Sequence, residues 1–180
     1  MVINGPVLLG AQPIRDMLDC KVQHNGVSHG LAEVGYDIRL KQDIRFMPDR
    51  MGVCCTSILE PDKSLPDKVY RRFVIASAIE EFQMPSNLMG VVHDKSTWAR
   101  KGLSVFNTVI EPGWRGFLTL ELVYHGWEDL HIPAGTGIAQ VIFHAKACSA
   151  EYDGKYQNQP DRPVEAITKM ITPPEVYPYG

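Results

Sequence analysis

The sequence contains no run near the roughly 18 consecutive apolar residues that a membrane helix requires. Its first residues, MVINGPVLLGAQPIRDML, show no basic leader ahead of an extended apolar stretch. Membrane insertion and secretion are therefore not expected, and the cytoplasm is the default location. Cysteine is sparse and poorly spaced for metal: Cys20, Cys54, Cys55 and Cys148 form no CxxC, and two of them are adjacent. A zinc ribbon, a zinc-dependent deaminase cluster and a disulfide scaffold are all disfavoured, and reduced thiols are the simpler reading. The six histidines include no HExxH, and the phosphate-loop pattern GxxxxGK[ST] is absent. Positive charge is not in excess either. Lys plus Arg is 18 against 21 for Asp plus Glu, a net charge of -3, which argues against a protein built to coat nucleic acid.

What is present is one domain's worth of chain. The 180 residues are 44% hydrophobic and 22% charged, with 15 glycines and 13 prolines, which describes a globular domain rich in turns. No repeat, low-complexity tract or internal boundary divides residues 1–180. Gln12 to Cys20 reads as a helix, because Pro13 suits a first turn and Ile14, Met17 and Leu18 recur at helical spacing. From Val34 the pattern changes to alternation, with Tyr36, Ile38 and Leu40 set against Asp37 and Arg39. Met47 to Lys68, with Pro48, Pro61 and Pro66, reads as loops around a short strand at Val53 to Ile58, a flap over the main body.

Short strand-like runs follow at Phe73 to Ala78, Leu88 to Val92, Leu103 to Val105, Phe117 to Tyr124 and Ile138 to Phe143. Turn signals separate them near Met84-Pro85-Ser86-Asn87, Glu111-Pro112-Gly113, His125-Gly126 and Pro133-Ala134-Gly135. Regular short strands with Gly and Pro between them predict an all-β barrel or distorted sandwich. Ser96 to Lys101 is the one helical interruption. From Tyr152 the chain is polar, then Pro-rich at Thr172-Pro173-Pro174, and it reads as an irregular arm.

Three polar constellations carry chemistry. His93 to Gly102 gathers cations, hydroxyls and a turn glycine after a strand, a composition suited to phosphate oxygens. A charged surface connection is the competing reading. Asn107 to Gly116 contains Pro-Gly and Arg-Gly turns around Trp114, which either stacks on a base or plugs the end of a barrel. Glu121 sits between leucines: strict alternation puts Thr119, Glu121 and Val123 on one face and Leu118, Leu120, Leu122 and Tyr124 on the core side. Glu121 then faces either solvent or an enclosed pocket. In a pocket, desolvation would raise its pKa and suit it to general acid/base work.

Several motifs recur in the order of a known family. Val34-Gly35-Tyr36-Asp37-Ile38-Arg39-Leu40 is similar to an early SYDLRLG-type strand, and Phe73 to Glu80 to FVLASTLE. Lys95 to Leu103 stands where RSSLARxGL is found. Ile110 to Gly116 matches IDPGWxG, Thr119-Leu120-Glu121-Leu122 matches TLEL, and Gly154 to Gln159 is close to GKYQxQ. The sequence resembles the dCTP deaminase branch of the superfamily that includes trimeric dUTPases, from its N-terminal region to about Gln159. The resemblance implies a dUTPase-like distorted jelly-roll or β-clip barrel with short helices, a homotrimer with sites between subunits, and a tail from about Tyr152 that closes on substrate.

It also implies roles. Glu121 takes a proton from the water that attacks C4 of cytosine and passes protons to the departing amine, without zinc. Arg100 orients water and base, while Ser96 and Thr97 contact phosphate and the reaction centre. Lys95 replaces an arginine there, keeping charge but losing the bidentate fork. Trp114 corresponds to an aromatic near the deoxyribose, and Gln140 to a structural or base-adjacent glutamine. Tyr152, Lys155 and Gln159 close over a triphosphate whose oxygens share Mg²⁺. The expected reaction is dCTP to dUTP and ammonia. Phe106 to Glu111, holding Asn107 and Thr108 against the base, lacks the His-Arg pair of the deaminase pattern. Thr108 to Gly116 also resembles the GVIDxxYRG motif of dUTPases, with Glu111 at its water-activating position. A dUTP diphosphatase, a bifunctional enzyme forming dUMP, action on a modified deoxycytidine nucleotide, and an inactive nucleotide-binding regulator therefore stay open.

Overall fold

The computed structural model describes residues 1–61, 64 and 66–168. The expected arm at Thr172-Pro173-Pro174 lies outside the described residues. The chain begins with β1 (Val2–Ile3) and α1 (Gly5–Ala11), followed by β2 (Lys21–His24), β3 (Val27–Leu31), β4 (Tyr36–Arg39) and β5 (Asp43–Pro48). Next come β6 (Cys54–Leu59), β7 (Lys68–Tyr70), the long β8 (Phe73–Gln83), β9 (Leu88–Asp94) and α2 (Ser96–Ala99). The remainder is β10 (Leu103–Val105), β11 (Val109–Ile110), β12 (Arg115–Tyr124), β13 (Leu130–Ile132) and β14 (Gly137–Ala145). The all-β expectation holds, with two short helices.

The strands form three antiparallel sheets. One runs β11-β9-β14-β4-β3-β2 with β1 added against β14, another β10-β12-β8, and the last β13-β5-β6-β7. Strand alternation builds the core between them. Ile38, Leu40, Ile44, Phe46, Val74, Ala76, Leu120, Leu122, Val141 and Phe143 are almost wholly buried in one continuous cluster. The segment read as a flap is part of this architecture. Cys54–Leu59 pairs on one side with β5 and on the other with Lys68–Tyr70, so it is a sheet strand rather than a strand isolated among loops.

The helix expected at Gln12 to Cys20 is not there. The helix is Gly5–Ala11, with Pro6 in its first turn, and Gln12 caps it in the left-handed region at φ 45°. Pro13 therefore follows a helix instead of starting one: it disfavours a right-handed helical Gln12, and Gln12 closes the helix in the left-handed region. Residues 12–16 then run along the end of β8: Gln83 N donates to Pro13 O, Arg15 N donates to Glu81 O, and Ile14 is buried beside Phe82. The apolar spacing of Ile14, Met17 and Leu18 serves packing, with no helix to carry it.

Candidate active site

β12 lies between β10 and β8, which fixes where its side chains point. Leu118, Leu120, Leu122 and Tyr124 are buried, as alternation predicts. Thr119 and Glu121 face the other way, opposite Ser77 and Ile75 of β8. That face is partly enclosed. It lines a cavity of about 310 Å³ whose walls include Phe73, Ile75, Val109, Ile110 and Leu118, with Thr108, Glu111 and Trp114 from the 106–116 loop. The tail supplies the remaining wall: Tyr152, Tyr156, Gln159 and residues 164–166. Glu121 is half-buried, and desolvation pushes its carboxyl above the ordinary glutamate range while its own backbone N–H pulls it part of the way back. A carboxyl raised by an apolar wall holds a proton more readily than an exposed glutamate, which suits it to accept and return one during a reaction.

The tail is held to this cavity by specific contacts. Trp114 is buried, 6.0 Å from the ring of Phe82, and its Nε1 donates to Tyr156 O at 2.6 Å. Phe117 N donates to Gln159 O at 3.1 Å, and Gly116 forms a parallel bridge with Gln159. Gln157 Nε2 reaches both Gly113 O and Tyr152 O at 3.0 Å. Lys155 lies 5.0 Å from the Tyr156 ring centre and donates to Ile167 O.

Of the residues singled out in the sequence, Glu121, Thr108, Glu111, Trp114, Tyr152 and Gln159 meet around the cavity. The others lie elsewhere. Ser96, Thr97 and Arg100 are exposed on and after α2, Asn107 is exposed in its loop, and Lys155 is turned to the tail backbone. Lys95 and Gln140 converge on the buried Asp37. Lys95 Nζ donates to the Asp37 carboxylate and to Ser28 Oγ (3.1 Å), and Gln140 Nε2 donates to Asp37 Oδ1 at 3.0 Å. Sequence reasoning gave no role to Thr119, Tyr156, Phe73, Ile75 or Val109. Thr119 was legible from its shared face with Glu121, and Tyr156 from its place in the Gly154–Gln159 motif. The apolar wall from β8 and β11 had no sequence signal beyond strand alternation.

No helix among the described residues is long and apolar enough to cross a membrane. Residues 8–146 match the family model described as dCTP deaminase-like. A dCTP deaminase of Herpetosiphon aurantiacus is 33% identical, aligned over 81% of this chain and 86% of its own. One from Chlamydia felis is 32% identical over 79% of this chain and 81% of its own. The crystal structure of 2'-deoxycytidine 5'-triphosphate deaminase from Agrobacterium tumefaciens superposes with a TM-score of 0.50 at 15% identity. It covers 77% of this chain and 45% of that one, which is a likeness of fold. By the family match and the level of these identities, the chain belongs to the dCTP deaminase-like family.

Proposed function

We propose that this chain hydrolyses the amino group of dCTP, yielding dUTP and ammonia. The observation that carries the proposal is the half-buried Glu121 carboxyl, raised by desolvation, in an apolar cavity that the tail closes. Water gives a proton to Glu121 as its oxygen bonds to C4 of the base. That proton passes to N3 of the base, giving a tetrahedral C4. The carboxylate then takes the proton of the new C4 hydroxyl and hands it to the exocyclic amine as C4=O forms and the C4–N bond breaks, releasing ammonia. Trp114 and Tyr152 supply flat, amphipathic surfaces for the sugar and base, and Gln159 supplies an amide for the base edge.

Ser96, Thr97 and Arg100 are assigned to phosphate and water, Asn107 to the base and Lys155 to the triphosphate, while Lys95 and Gln140 act through their shared contact with Asp37. The exposed α2 residues do not line the Glu121 cavity of their own chain, which supports a site completed by a neighbouring subunit of a homotrimer. Exposed Phe73, Phe106 and Val109 offer apolar surface for that contact. Mg²⁺ enters with the substrate, held by triphosphate oxygens. Among the described residues no three His, Cys, Asp or Glu side chains gather into a cage, so the donor chemistry suits an ion carried on phosphate. The free thiols Cys20, Cys54, Cys55 and Cys148 suit a reducing cytoplasm.

A second reading has its own observation: Glu111 lines the same cavity, where it would activate water toward the α-phosphate of dUTP. Incubating the protein with dCTP, dUTP and 5-substituted dCTPs, and measuring ammonia and pyrophosphate separately, decides between them. Ammonia from dCTP supports deamination. Pyrophosphate from dUTP without ammonia selects the diphosphatase, and both together a bifunctional enzyme. Tight binding with neither product sinks both chemistries.

A further inference from the structure

Thr119 stands two positions before Glu121 on the same face of β12 and is buried. Its hydroxyl makes two bonds, both to the tail. Val164 N donates to Thr119 Oγ1 at 3.0 Å, and Thr119 Oγ1 donates to Gln159 Oε1 at 3.2 Å. A backbone N–H can only donate, so Val164 uses an acceptor site on the oxygen, and the single hydroxyl proton serves Gln159. With Oε1 engaged, the amide's NH₂ end is the one left for the cavity that Gln159 lines. The hydroxyl thus joins two points of the tail, 159 and 164, to the strand that carries Glu121.

We propose that Thr119 is a positioning residue: it seats the tail on β12 and sets the Gln159 amide so that its N–H groups face acceptors on the substrate base. The ligand chemistry this selects is a pyrimidine edge presenting a ring nitrogen lone pair and a carbonyl oxygen, as cytosine does with N3 and O2. Uracil carries a proton on N3 and offers one acceptor fewer at that point. The base assignment rests on the proposed function. The seating of the tail does not.

The test compares full-length wild type with Thr119→Val, which keeps shape and loses the hydroxyl, and Thr119→Ser, which keeps the hydroxyl. Val164→Pro removes the N–H from the tail side and leaves β12 untouched. Amide hydrogen exchange at Val164 and steady-state kinetics with dCTP are read together. Thr119→Val is expected to speed Val164 exchange and raise KM by on the order of tenfold, with a smaller change in kcat. Thr119→Ser restores both, and Val164→Pro reproduces the KM rise. Unchanged Val164 exchange in Thr119→Val overturns the proposal. So does a Thr119→Ser as impaired as the valine variant, or a Val164→Pro with wild-type KM. If wild type releases no ammonia from dCTP, the proposed function fails, and the exchange measurement still decides the latch.

Discussion

The ammonium of Lys95 is buried against the carboxylate of Asp37, with Ser28 and Gln140 bonded to the same carboxylate. The pair leaves 12% of the lysine side chain and 2% of the aspartate exposed. It ties the start of α2 to β4 and β14, so Lys95 is spent on structure before any phosphate arrives. Removing one partner of such a pair strands the other charge away from water. Lys95→Ala is expected to lose about 3 kcal/mol of stability, measured by urea unfolding. A variant that unfolds like wild type but has a raised KM would return Lys95 to phosphate binding.

Glu121 supplies the pH prediction. A general base must be ionised, and burial holds this carboxyl above its ordinary range. The acid limb of kcat/KM is therefore expected above the usual glutamate titration, with activity falling as pH drops through it. Glu121→Gln is expected to cost at least about 10²-fold in turnover while nucleotide binding, measured by calorimetric titration, persists. Normal turnover in that variant would remove Glu121 from the chemistry.

The face of β12 could be read from sequence because period-two alternation is a local property: Leu118, Leu120 and Leu122 had to share a side. What lay opposite could not, since Ile75 and the tail reach Glu121 through register and chain return over long separations. The N-terminal region misled for a physical reason. Pro13 fits the first turn of a helix and also the stop just beyond one, and apolar spacing alone does not distinguish them. Asn25 and Gly26 lie between β2 and β3. Both residues have positive φ, 52° and 74°, and they turn the hairpin of β2 and β3, the conformation Asn-Gly favours.

The proposed completion of the site by a second subunit has a direct consequence. Arg100→Ala and Glu121→Gln are each expected to be inactive alone. Unfolded together and refolded as mixed oligomers, they should recover activity, because some sites then combine an intact Arg100 from one chain with an intact Glu121 from another. Activity no greater than the sum of the two parents, in samples shown to be mixed trimers by native mass spectrometry, would place both residues in one chain's site.

Glu80 predicts how stability follows pH. It is buried and accepts from the backbone N and the Nε of Arg39 at 2.9 and 2.8 Å. Desolvation nevertheless outweighs those bonds and raises its carboxyl above 4.5. The sign follows: the folded protein holds this proton more tightly than the unfolded chain. The associated stabilisation is complete below the unfolded value and is lost as pH rises through the raised folded value. Glu80→Gln keeps an acceptor for Arg39 and removes the titration. Its stability is expected to decline less than that of wild type as pH rises above the ordinary glutamate range, measured by chemical unfolding as a function of pH. Parallel curves would show that Glu80 does not titrate there.

Gly116 decides whether the tail can dock at all. Its φ is +126°, and a Cβ there would lie 2.4 Å from Gln159 N and 2.6 Å from Gln159 O. Both are backbone atoms that cannot swing aside, and the same residue makes the parallel bridge. Gly116→Ala therefore strains β12 by about 1–3 kcal/mol and pushes Gln159 off the strand. Two readouts separate these effects. Melting reports the strain on the whole fold. Trypsin cleavage after Lys155, followed well below the melting temperature, reports the tail, and it is expected to accelerate by on the order of tenfold while KM for the nucleotide rises in step. A variant that melts lower but keeps its tail protected and its KM unchanged would show that closure over Glu121 does not depend on the contact between Gly116 and Gln159.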